Sequence, residues 1–133
     1  MAEGQVGRNR VVLVAEDDSD IRSLVTAKLT GAGFAVRAFG DGTAALAELR
    51  EARPDVALFD VMMPGISGIE LLTEVRADPA LASVPVILMS ARSQEFDVET
   101  GIASGAADYI IKPFSPRELL DRVLAVLDRQ PSG

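Results

Sequence analysis

The sequence predicts an α/β fold, a doubly wound sheet of five parallel strands with five helices covering its faces. Three observations predict it. Short apolar runs recur along the chain, and most stop at a polar or acidic residue. Segments with helical spacing alternate with these runs. The runs are continuously apolar, which marks strands buried on both faces. Parallel neighbours need right-handed crossovers, and with five strands the flavodoxin-like order 2-1-3-4-5 meets that requirement. The architecture is a three-layer sandwich.

Taken in order, Val11-Val12-Leu13-Val14-Ala15 is the first strand. Ile21, Leu24, Val25, Lys28 and Leu29 follow helical spacing, with Asp18 or Ser19 as the N-cap and Gly31 and Gly33 as the stop. Phe34–Phe39 is the second strand, less buried because it carries Arg37. Asp41–Glu51 is Ala-rich and helical. Asp55-Val56-Ala57-Leu58-Phe59 is the third strand, ending at Asp60. After the turn Met63-Pro64-Gly65, Ser67 and Glu70 form a capping box, and Leu71, Leu72 and Val75 give that helix its apolar face. Val84–Met89 is the fourth strand, with Pro85 tolerated near its start. Residues 94–104 form a weakly amphipathic helix on Phe96, Val98 and Ile102. Tyr109-Ile110-Ile111 is the fifth strand. Ser115, Pro116 and Glu118 combine an N-cap, an N1 proline and a capping box. Leu119, Leu120, Val123, Leu124 and Leu127 turn the last helix toward the core.

The chain of 133 residues is one domain. Residues 1–10 read as a flexible arm, 11–128 as the domain, and 129–133 as a tail or the start of a linker. With 48% apolar residues the chain can bury a core, which excludes full disorder. The net charge of −7 argues against duplex binding, because phosphate neutralisation needs a basic face. Neither Cys nor His occurs, which excludes disulfides, thiol nucleophiles, histidine general bases and His-ligated metals. No apolar run reaches the length of about 18 residues that a membrane span needs, and the start lacks an apolar signal core. Cytoplasm is therefore the expected location.

In such a sheet, ligands bind beyond the carboxyl ends of the strands, where the strand order reverses. After the first strand come Glu16, Asp17 and Asp18, after the third Asp60, after the fourth Ser90, and after the fifth Lys112 and Pro113. Each alone has a plain reading: a helix cap, a solvated acid, an ordinary hydroxyl, a surface lysine. Topology brings them together. Converging carboxylates repel one another, and a hard cation held by oxygen relieves them, which suits Mg²⁺ or Mn²⁺. A lysine and a hydroxyl beside that cation can cradle a small phosphate-like anion.

The motifs VLVAEDDSDIR, LFDVMMPGISGIELL, VILMSA and GAADYIIKPFSPREL, in this order, resemble the receiver domain of two-component response regulators. The resemblance runs from about Val11 to Leu127 and implies the CheY-like form of the fold. It implies that Asp60 is the phosphoacceptor, forming an acyl phosphate. It implies that Asp17, Asp60 and the backbone carbonyl of Met62 bind the metal directly, with Glu16 holding it through water. Glu16 fills the place of the first acid of the family's pair, where Glu is a common variant. Lys112 would neutralise the phosphoryl oxygens, with a cis Lys112–Pro113 bond. Ser90 would bond the phosphoryl group, and Tyr109 would be the aromatic switch that turns inward as Ser90 moves. Such a receiver is not an enzyme in the ordinary sense, since it catalyses only its own phosphorylation and dephosphorylation.

The phosphoryl donor would be a sensor histidine kinase or a histidine phosphotransfer protein. Phosphorylation adds roughly −1.5 to −2 charges at one point. The charge would be read by a downstream effector or output domain on the face of helix 94–104, the fifth strand and the last helix. The chain either acts alone or is the receiver of a longer regulator. Met62 and Arg92 would flank the phosphoryl group and lengthen its life, unless both simply face solvent. Asp108, Glu118 and Arg122 match by spacing the charges with which receivers of winged-helix transcription factors dimerise, although Ala107 and helix 94–104 depart from that pattern. The plainer reading is solvated charge.

Three other readings compete. A haloacid-dehalogenase-type phosphatase needs a second acid two residues past Asp60, where Met62 stands. A flavin or nucleotide carrier needs a glycine- and hydroxyl-rich phosphate loop in place of EDDSD. A pseudo-receiver acting by binding alone would not need the full set of site residues.

Overall fold

The structure is a computed structural model, and it describes residues 9–91 and 105–129. Its elements in chain order are β1 (Val11–Ala15), α1 (Ser19–Gly31), β2 (Ala35–Phe39), α2 (Gly42–Glu51), β3 (Val56–Asp60), α3 (Gly68–Ala77), β4 (Val86–Ala91), β5 (Asp108–Lys112) and α4 (Pro116–Asp128). The sheet order is β2-β1-β3-β4-β5, with every neighbouring pair parallel. This is the doubly wound order that the apolar runs predict. The described residues carry four helices. The expected helix at 94–104 lies outside them, as do residues 1–8 and 130–133 of the two end segments and Arg92.

The pleat explains why the strands are continuously apolar. Successive side chains point to opposite faces, so each strand feeds two cores. Leu13, Ala57, Phe59 and Leu88 pack with Leu46 and Leu49 of α2 and Leu71, Leu72 and Val75 of α3. Val12, Val14, Leu58, Ile87 and Met89 pack with Val25 and Leu29 of α1 and Leu119, Leu120 and Val123 of α4. β3 is buried along its whole length, as a central strand must be. β2 is an edge strand, and Arg37 within it is half-buried and paired with Glu48 at 2.7 Å.

Local signals set the helix starts. Asp18 caps α1, its carboxylate accepting from the Asp20 and Ile21 N–H groups. Ser67 and Glu70 form the complete capping box of α3. Ser115 accepts from the Glu118 N–H, with Pro116 opening α4. Such caps each stabilise by about 1 kcal/mol.

Several boundaries differ from the expectation. β4 begins at Val86 rather than Val84, because Val84 donates its N–H to Leu81 in the preceding turn and Pro85 has no N–H to give. Leu24 is 43% exposed, since α1 buries only the narrow stripe of Val25 and Leu29 against the sheet. Val126 of α4 is fully buried, while Leu124 lies at the core margin.

At the other end of the sheet, Arg76 of α3 acts as a staple. Its guanidinium donates to the carbonyls of Ala82, Val84 and Gly105. It thereby ties the segments that lead into β4 and β5. No helix among the described residues is long and apolar enough to cross a membrane.

Candidate functional site at the carboxyl ends of the strands

β1 and β3 are neighbours and β4 separates β3 from β5, and residues at the carboxyl ends of β1, β3 and β5 build a compact charged cluster. Glu16 follows β1 and is fully buried. Its backbone N–H donates to Phe39 at 3.0 Å, which pins it to the end of β2. Asp60 closes β3 at 5% exposure. Lys112 closes β5, and its Nζ lies 2.7 Å from Glu16 Oε1 and 3.1 Å from Asp60 Oδ1. The Lys112–Pro113 peptide bond is cis. Asp17 is exposed at the mouth. Glu16, Asp17 and Asp60 each offer a carboxylate oxygen, all within 4.8 Å of one another.

Electrostatics sharpens the picture. Burial raises the Asp60 carboxyl to about 8, and the neighbouring carboxylate of Glu16 adds to the rise against the opposing pull of Lys112. Burial works against the charged form of Lys112, but its contacts with Glu16 and Asp60 outweigh burial and raise it. A fully buried Glu16 would be costly without partners. Lys112 meets its Oε1 and the Asp18 N–H donates to its Oε2 at 3.1 Å. Asp17 and Asp60 are therefore the carboxylates better placed to meet a cation directly. An all-oxygen donor set with mutual repulsion fits a hard divalent ion, which would draw the Asp60 carboxyl back toward its charged form.

The other expected residues lie around this cluster. The Met62 N–H reaches Asp60 Oδ1 at 3.4 Å, and its side chain is 59% exposed beside the site. Ser90 is fully buried, one residue past Met89, the register partner of Asp60. Tyr109 pairs in register with Leu88, and its ring is buried among the α2–α3 core. Asp108, Glu118 and Arg122 pair within the chain, Arg122 meeting Asp108 at 3.0 Å and Glu118 at 3.7 Å.

Two residues that shape the site lie within the motifs VLVAEDDSDIR and LFDVMMPGISGIELL but drew no role from the sequence. Gly68 opens α3 directly on the end of β3, where a Cβ would run into the Asp60 carbonyl and the Val61 Cα. Its N–H donates to Val61 at 3.0 Å. Arg22 folds back from α1, and its Nη1 donates to the carbonyl of Glu16 at 2.8 Å. A glycine directly after an N-cap serine, and one arginine in the first turns after three acids, were the only hints.

Comparison with known proteins gives a consistent result. Residues 12–124 match the family model of the response regulator receiver domain. The DNA-binding response regulator MtrA of Mycobacterium tuberculosis strain H37Rv is 45% identical over 118 residues, covering 89% of this chain and 50% of the relative. The chain spans about half the length of the curated relatives it matches. Among solved structures, the Francisella response regulator 1452 receiver domain is similar at a TM-score of 0.83 and 36% identity, over 91% of this chain and 98% of that one. The BeF₃-activated DrrB receiver domain is similar at a TM-score of 0.80 and 34% identity, over 90% and 98%. The phosphatase and nucleotide-carrier readings find no support in these matches.

Proposed function

The chain belongs to the response regulator receiver domain family, the phosphoacceptor module of two-component signalling, and from that membership we propose that Asp60 is its phosphoacceptor. One observation carries the assignment. Asp60 is the single acid at the end of the central strand, and Lys112 touches it at 3.1 Å while Asp17 and Glu16 stand within reach.

The chemistry follows from the geometry. An Asp60 carboxylate oxygen attacks phosphorus, and the bond from phosphorus to the donor's imidazole nitrogen breaks. The electron pair leaves with the imidazole, and Asp60 carries an acyl phosphate. In-line transfer of this kind needs charge neutralisation and positioning more than acid–base groups. Lys112 supplies a fixed positive charge at Asp60. Glu16 Oε1 holds the same ammonium at 2.7 Å. Ser90 offers a hydroxyl at the end of the adjacent strand. The Met62 N–H faces Asp60 from the loop. Asp17, Asp60 and the Met62 carbonyl would hold a divalent ion, Mg²⁺ or Mn²⁺, with Glu16 acting through water. That ion, when bound, adds positive charge against the phosphoryl oxygens.

The receiver unit is 11–128. Its phosphoryl donor is a histidine kinase or a histidine phosphotransfer protein, as membership of the receiver family supports. Its place is the cytoplasm, where such kinases present phosphohistidine. Ser90 and Tyr109 lie on neighbouring strands and form the switch that passes the new charge to the β5–α4 face and an effector or output domain there. A homodimer through that face would have to reroute Arg122 from Asp108 and Glu118.

Beryllofluoride tests the site directly, because it mimics a phosphoryl group on a carboxylate. With Mg²⁺, a bound-fluoride signal in ¹⁹F NMR is expected for the wild type. Its absence in Asp60→Asn is expected too. A signal of equal strength in that variant would move the acceptor elsewhere.

A further inference from the structure

Arg22 lies early in α1, yet its side chain turns back toward the loop that precedes the helix. Its Nη1 donates to the Glu16 carbonyl at 2.8 Å and reaches the Asp17 carbonyl at 3.4 Å. The same nitrogen lies 3.0 Å from the place a Cβ would take on Gly40, just past β2. The guanidinium thus spans the ends of β1 and β2, and it has room because residue 40 has no side chain. The two carbonyls it holds belong to the two consecutive acids of the charged cluster.

We propose that Arg22 is a positioning residue for the divalent cation. It fixes the backbone of Glu16 and Asp17 and so holds the Asp17 carboxylate in front of Asp60. Asp17 is exposed, so its placement depends on its backbone more than on surrounding packing. Glu16 is anchored independently, by its own N–H to Phe39 and by its carboxylate to Lys112. Arg22 therefore acts chiefly on Asp17. The inference rests on the reading that Asp17 is a metal ligand.

As a bare charge, Arg22 would have the opposite effect. A fixed cation beside the acids repels an incoming one, so its removal would tighten Mg²⁺ binding. As a positioning group, its removal weakens binding. The direction of the change separates the two roles, and titration well below the variant's melting transition keeps the folded fraction near one, so that lost stability does not pass for weaker binding.

The experiment is calorimetric titration of the full chain with MgCl₂. Arg22→Gln should weaken Mg²⁺ about tenfold, the low end for groups that orient metal ligands. Arg22→Lys keeps the charge without the planar fork and should restore part of the loss. Gly40→Ala leaves Arg22 in place but presses on its guanidinium, and it should weaken Mg²⁺ in the same direction. Unchanged or tighter binding in Arg22→Gln overturns the proposal. If that variant does not fold, unchanged binding in Gly40→Ala does so. Asp17→Asn separates the two claims. Loss of binding there with no loss in Arg22→Gln rejects the positioning role alone. Wild-type binding in Asp17→Asn rejects the metal-site reading beneath it.

Discussion

Asp60 is held between opposing demands. Lys112 favours its charged form, while burial and the carboxylate of Glu16 favour the neutral one and prevail, at about 8 against an ordinary 3.8. The consequence for stability has a definite sign. Between those values the metal-free fold keeps a proton that the unfolded chain has released. The Asp60 contribution is therefore complete below about pH 4 and is lost as pH rises through about 8. Asp60→Asn removes the titrating group. In chelator at pH 8 it should melt roughly 4–8 °C above the wild type, about 1–2 kcal/mol. The gap should narrow toward pH 5 and shrink on addition of Mg²⁺, and thermal melts across pH measure it. A gap that widened at low pH would reverse the account of Asp60. At this scale the sequence is readable where chemistry follows a strand end: Glu16, Asp17, Asp60, Ser90 and Lys112 all announce themselves that way. Arg22 and Arg76 do not. Their partners are backbone carbonyls, which carry no residue signature, and for Arg76 they reach as far as Gly105.

Among the elements, α3 matters most to the site because it docks on the strand that carries Asp60. Gly68 is its first residue, in backbone contact with Asp60 and Val61. Gly68→Ala should cost about 3 kcal/mol, since the neighbours are main chain and cannot rotate away. Denaturant unfolding should show a lower midpoint with an unchanged slope, and a midpoint within error of the wild type would mean that α3 is free to shift. The element order was legible because apolar runs and helical spacing alternate so regularly. Element edges were less so. Val84 is as buried as any strand residue, yet it belongs to the turn before β4. Leu24 sits at helical spacing but looks outward, since spacing predicts a stripe without giving its width. The need for glycine at 68 comes from the end of β3 lying against it, a contact that local sequence does not encode.

For the whole molecule, the sandwich works as a device that collects strand ends. Its two cores hold the strands at fixed register, and the register sets Lys112 against both Glu16 and Asp60 across the sheet. The net charge of −7 disfavours non-specific attraction to nucleic acid. The topology followed from the pattern of the sequence, and the family followed from the residues at the strand ends. The effector followed from neither, because a docking face is defined by its partner. The most direct test of the central claim is the intact mass of the chain after incubation with acetyl phosphate, with and without Mg²⁺, for the wild type and Asp60→Asn. The account predicts one phosphoryl adduct that requires both Mg²⁺ and Asp60. An adduct that persists in Asp60→Asn, or none in a wild type shown to bind Mg²⁺, would contradict it.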